Sequence, residues 1–175
     1  MSRDNRLILM IICVLLALVS IFAYLNAGDA ALKRALQENR RFLLKVDGET
    51  AAEVGLQDVV EIGVEKFTTR LSSTAAPARD VDFEGVELRL LYDRLGIDVS
   101  EAALFDVRGL DGYFSPISPD EVTTEKKIYL CISMDGEILT DKSTGGWGPF
   151  LLVIRGSVFA QRWCKYVEEI DALSR

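Results

Sequence analysis

The chain has 175 residues, 49% of them hydrophobic, with 20 basic and 27 acidic residues and a net charge of −7. Its acidity argues against nucleic acid as a partner, because both DNA and RNA are held by clustered Lys and Arg. The chain contains no histidine, which excludes Ser-His-Asp and Cys-His hydrolases and removes the commonest metal ligand.

The run from Leu7 to Leu25 carries no charge and no proline. A helix of that length, at a rise of about 1.5 Å per residue, crosses about 30 Å of hydrocarbon. The reading is a transmembrane helix. Arg3 and Arg6 in the tail 1–6 place the N-terminus in the cytoplasm by the positive-inside tendency. Lys33, Arg34, Arg40 and Arg41 beyond the run pull the other way. A cleavable signal peptide is the competing reading, since Ala27, Gly28 and Ala30 are small, but its apolar core normally spans about 7–15 residues. The organisation expected is a single-pass cell-membrane protein: tail 1–6, span 7–25, helical stalk 26–41 and extracytoplasmic domain 42–175.

In the stalk, Ala31, Leu32, Ala35 and Leu36 stand at helical spacing. Phe42–Val46 reads as a strand that enters a turn at Asp47-Gly48. Residues 55–66 fit either a short helix or a strand, and Phe67–Ser72 fits a strand rich in Thr. A polar loop follows over 73–79. Val86, Leu88, Leu91 and Leu95 mark the apolar face of a helix stopped by Gly96. Strands are predicted at Leu104–Arg108, Ile128–Met134, 150–155 and from Trp163 to Ile170, with an Asp135-Gly136 turn and a rigid GGWGP corner at 145–149. The class is α+β with a mixed sheet.

Zinc-finger spacing, HExxH, GxxxxGK[ST] and GxGxxG are all absent. Cys13 falls in the apolar run; Cys131 and Cys164 could pair in an oxidising exterior, but their neighbours make both read as small core residues of strands.

Several motifs in order carry a resemblance: a strand ending in VDG, then GLQDVV, FEGVELRLLYDRLGI, DGY, YLCISMDGEIL, GGWGPFLLVIRG and RWCKYVEEI. Together they resemble the molybdopterin-binding domain of the sulfite oxidase superfamily over nearly all of residues 42–172. The resemblance implies that fold, and a molybdenum held by a cysteine thiolate on a loop matching Thr68–Pro77. That stretch, TTRLSSTAAP from Thr68, has no cysteine, and Ser or Thr hydroxyls do not replace a soft thiolate. Where the enzymes carry a His and an Arg around the proline corner, this chain has Gly146 and Leu151, and Arg155 stands for a proline. Lys165 and the glycine framework persist.

The expectation is therefore a membrane-anchored domain of this fold that works by binding rather than by metal catalysis, with no cofactor. Arg70, Arg79, Tyr113, Trp147, Arg155 and Lys165 are the candidate lining of its cleft: guanidiniums suit carboxylate or phosphate, and the aromatic rings offer stacking faces. A small anionic or aromatic ligand fits this set, as does a membrane protein partner. The alternatives are a molybdopterin-dependent oxidoreductase, or a subunit of one, and a structural subunit of a membrane complex.

Overall fold

A computed structural model describes residues 10–24, 39–72, 77–157 and 160–174. The chain divides into two compact units, Met1–Ala35 and Leu36–Arg175. In the first, residues 10–24 form a helix, α1, whose side chains are all exposed. Among the described residues no helix is long and apolar enough to cross a membrane. Both ends of the expected span Leu7–Leu25 lie outside the described residues, as does the stalk up to residue 38. Its last residues are not helical: 39–40 form a turn and Arg41 opens the first strand.

The second unit is α+β, built on two sheets of five strands rather than on a single sheet. The first sheet runs β2 (Glu49–Gly55), β1 (Arg41–Val46), β10 (Val167–Ser174), β5 (Ala102–Gly109), β6 (Phe114–Ile117). It is mixed, because β1 and β10 are parallel, with Leu44 beside Ile170, and the other pairs are antiparallel. The second sheet runs β3 (Glu65–Leu71), β4 (Arg79–Glu87), β7 (Ile128–Met134), β8 (Glu137–Ile138), and β9 (Leu151–Ile154) shares the outer edge of β7 with β8. The sheets join at a corner, where Val167 N donates to Phe150 O at 3.1 Å and Leu152 N to Cys164 O at 2.8 Å.

Both expected hairpin turns form. Asp47 and Gly48 have φ of 51° and 83°, and Asp135 and Gly136 have 53° and 82°, the pair of left-handed residues that a two-residue loop between twisted strands requires. The ambiguous stretch 55–66 is a short helix, α2 (Leu56–Ile62), followed by the start of β3. The soluble helix is α3 (Leu88–Leu95), capped at Gly96 with φ of 66°. Leu88, Leu91 and Tyr92 are its buried residues, but Val86 belongs to β4. Glu87 ends that strand with its buried carboxylate accepting from Arg89 Nε at 2.8 Å and Lys126 N at 2.9 Å. The last strand starts at Val167, not Trp163: Trp163 and Cys164 are buried in the corner instead. A short helix, α4 (Pro119–Thr123), opens on a capping box between Ser118 and Glu121.

The core lies between the sheets. Phe42 meets Phe150 edge-on at 4.9 Å, Phe83 meets Trp163 at 5.6 Å, and Tyr92 on α3 reaches Phe105 on β5 at 5.6 Å. Cys131 and Cys164 are free thiols fully buried in this core, so the core reading holds and the disulfide does not form.

Candidate functional site

Strand β3 alternates, and the alternation builds one wall of the site. Phe67 and Thr69 turn inward; Lys66, Thr68 and Arg70 are exposed. Each exposed residue faces its register partner on β4: Lys66 Nζ lies 2.6 Å from Glu84, Thr68 Oγ1 donates to Asp82 at 2.7 Å, and Arg70 Nη1 lies 3.4 Å from Asp80. The contacts loosen toward the end of the ladder. Arg70 and Asp80 are 65% and 68% exposed and poorly placed for a strong ion pair.

At that end opens a cavity of about 710 Å³, lined by Thr68, Thr69, Arg70, Ser72 and Asp80 and, from the turn after β9, Arg155, Gly156 and Ser157. Gly156 has φ of 72°, and its N–H points to Thr69 Oγ1 at 3.5 Å, which holds the turn against β3. Arg155 is half-buried and makes no ion pair among the described residues. Its guanidinium lies 5.7 Å over the ring of Phe67, a cation–π contact. Phe67 stacks on Tyr129 at 4.1 Å, and the Tyr129 hydroxyl donates to Glu65. Burial first, and then the Glu65 carboxylate, push the Tyr129 phenol well above its ordinary pKa. Arg155 thus rests on a rigid aromatic stack, whereas Arg70 projects into solvent.

The other four candidates lie elsewhere. Arg79 pairs with Asp135 at 2.7 Å and holds that carboxylate below its usual range. The Tyr113 hydroxyl donates to Gln161 O, one residue beyond Ala160, whose N–H donates to Ser72 O at 3.1 Å on the cavity rim. Lys165 Nζ sits 3.6 Å over the Trp147 ring; burial lowers its pKa, and Asp111 opposes that shift. The GGWGP corner is pressed against Leu139 and Thr140, where a Cβ on Gly146 would fall 2.1 Å from Thr140 O. Of the six candidates, Arg70 and Arg155 share the cavity. Thr69, Ser72, Asp80 and Ser157 join them unforeseen; the alternation of FTTR could have pointed to Thr69, but the β3–β4 register that places Asp80 has no local signal.

The side-chain polar groups at this cavity are hydroxyls, two guanidiniums and the Asp80 carboxylate. A molybdenum centre held by a protein thiolate does not fit them: burial pushes the Cys131 thiol well up and the Cys164 thiol up to about 12, and both are in the core. Nor do His, Cys, Asp and Glu cluster as metal ligands anywhere among the described residues.

No protein-family model matches the chain, and no curated protein matches it. Among solved structures, it is similar to the sulfane dehydrogenase SoxCD from Paracoccus pantotrophus. The TM-score is 0.64 and the identity 16%, over 79% of this chain and 39% of that one. At this identity the likeness is one of fold, and it agrees at that level with the resemblance drawn from the sequence. The chain spans about two-fifths of the length of that relative, 39%.

Proposed function

We propose that this chain is a membrane-anchored, extracytoplasmic domain of sulfite oxidase-like fold that binds a small anionic ligand and carries out no molybdenum chemistry. The observation behind this reading is that Arg70, from β3, and Arg155, from the turn after β9, line one cavity of about 710 Å³ together with Thr68, Thr69 and Ser72. Guanidiniums give forked, permanently charged donors suited to oxyanions, and a cavity of about 300–1,000 Å³ suits a small organic ligand. Anchoring through Leu7–Leu25, with the N-terminus in the cytoplasm, rests on the apolar run in the sequence.

The test uses the full chain, natively produced and purified in detergent. Elemental analysis is expected to find molybdenum far below one atom per chain. Calorimetric titration with inorganic phosphate is expected to show binding that Arg155→Gln abolishes. Stoichiometric molybdenum would instead support the second reading, a molybdopterin-dependent oxidoreductase or a subunit of one, which the fold likeness to a dehydrogenase favours. Protease treatment of sealed vesicles checks the anchoring: residues beyond the span are expected to be digested only from the extracytoplasmic side.

A further inference from the structure

Resting on the anion-binding reading above, we infer that the cavity is a counterion-exchange site, in which Asp80 is the resident counterion of Arg70 and a doubly charged oxyanion displaces it. The two arginines are held very differently. Arg155 is half-buried on the Phe67–Tyr129 stack and has no carboxylate partner among the described residues. Arg70 is largely exposed and meets Asp80 at 3.4 Å, longer than the ladder's other contacts of 2.6 and 2.7 Å. A charge-assisted hydrogen bond of good geometry falls near 2.7–2.9 Å. The Arg70–Asp80 contact is therefore the weakest rung, and it is the rung inside the cavity.

Charge then sets the class of ligand. With Asp80 engaged, the two guanidiniums and one carboxylate leave a single positive charge; with Asp80 displaced, the two arginines that line the cavity carry two positive charges and match a dianion. The donors come from separate elements, Arg70 and Ser72 from β3 and its end, Arg155 from the turn after β9. The volume greatly exceeds that of a bare oxyanion, so a phosphate or sulfate carrying a small polar substituent also fits.

The experiment is calorimetric titration of the full chain in detergent, in a buffer free of phosphate and sulfate, with sodium sulfate, inorganic phosphate, sodium nitrate and glycerol 3-phosphate. Asp80→Asn is the informative variant, because an exposed Asp can be neutralised without disturbing the core. It is expected to tighten sulfate and phosphate about 3–10-fold, the scale of removing one exposed like charge. Nitrate is expected to bind more weakly than either, and Arg70→Gln in the Asp80→Asn background to remove the gain. Tighter binding of glycerol 3-phosphate than of phosphate assigns an ester ligand; the reverse order assigns the free oxyanion. Unchanged or weaker binding by a folded Asp80→Asn variant overturns the exchange while leaving the anion site standing. If the wild-type chain binds none of these anions, the anion-binding reading itself fails.

Discussion

The guanidinium of Arg162 grips the carboxylate of Glu121 with both arms, Nη1 to Oε1 at 2.7 Å and Nη2 to Oε2 at 2.9 Å. The same Arg162 Nη2 donates to Pro116 O at 3.1 Å, so one side chain ties α4, β6 and the turn at 160–162 together. Arg162, with help from the Ser118 N–H, holds the Glu121 pKa at about 2, against 4.5 for the free side chain. Because the folded pKa is the lower, this clip contributes its full stability above about pH 4.5 and loses it as pH falls toward about 2. The carboxylate is 24% exposed, and solvent screening leaves a contribution of about 1–2 kcal/mol. Urea unfolding at pH 7 and pH 3 should show Glu121→Gln destabilised at the higher pH, with the gap to wild type cut to about half at the lower one. An equal gap at both values would mean that the pair does not titrate with folding.

Gly85 lies at an irregularity in the pairing of β4 with β7. A Cβ there would stand 2.5 Å from Leu130 O and 2.7 Å from Cys131 Cα. Both neighbours are backbone of a fully buried strand and have nowhere to move. Gly85→Ala is therefore expected to cost about 2–4 kcal/mol, the range for forced overpacking with backbone displacement, measured as a drop in Tm. Gly136→Ala, at a turn where a Cβ meets open space but φ is 82°, should cost about 1 kcal/mol.

The parts of the fold legible in the sequence are those whose burial is local. IYLCISM reads as a strand because every residue from Ile128 to Ser133 is buried, and the two Asp-Gly turns announce themselves by their φ requirement. Strand β2 went unread because only Val54 and Gly55 of its seven residues are buried. Strand β6 was concealed by Pro116, tolerable because β6 is the outermost strand of its sheet. Trp163 and Cys164 looked like strand because a corner between sheets buries apolar side chains as a strand does. At the site, Arg70 and Arg155 are legible as guanidiniums suited to an oxyanion in the cleft that the resemblance implies, whereas Asp80 enters only through a register set across the loop joining β3 and β4.

Thiol chemistry separates the three cysteines. Burial raises the pKa of Cys131 and Cys164 and removes them from solvent, and thiolate is the reacting form. In a Cys13→Ser background, the native chain should leave both thiols unmodified by an aromatic disulfide reagent over minutes, and denaturation should release two equivalents. Release of none would mean that the two residues are paired in a disulfide.

Lys165 offers a spectroscopic handle on the loop end of the domain. Its ammonium lies 3.6 Å over the indole of Trp147, where a positive charge perturbs the ring's electrons and hence its emission. Burial disfavours the charged form more than the Asp111 carboxylate supports it, so the folded pKa lies below the ordinary lysine value of 10.5. A lysine whose pKa is lowered on folding opposes folding while it is charged, and that cost is relieved as pH rises through the folded pKa. Two results are expected together. Trp emission should change with pH below 10.5, in a step that Lys165→Met removes while the Trp163 signal remains. Lys165→Met should also narrow its stability difference from wild type as pH rises through that step. An emission step that survives in the Lys165→Met variant would place the titrating group elsewhere and break the link between the lysine and the ring.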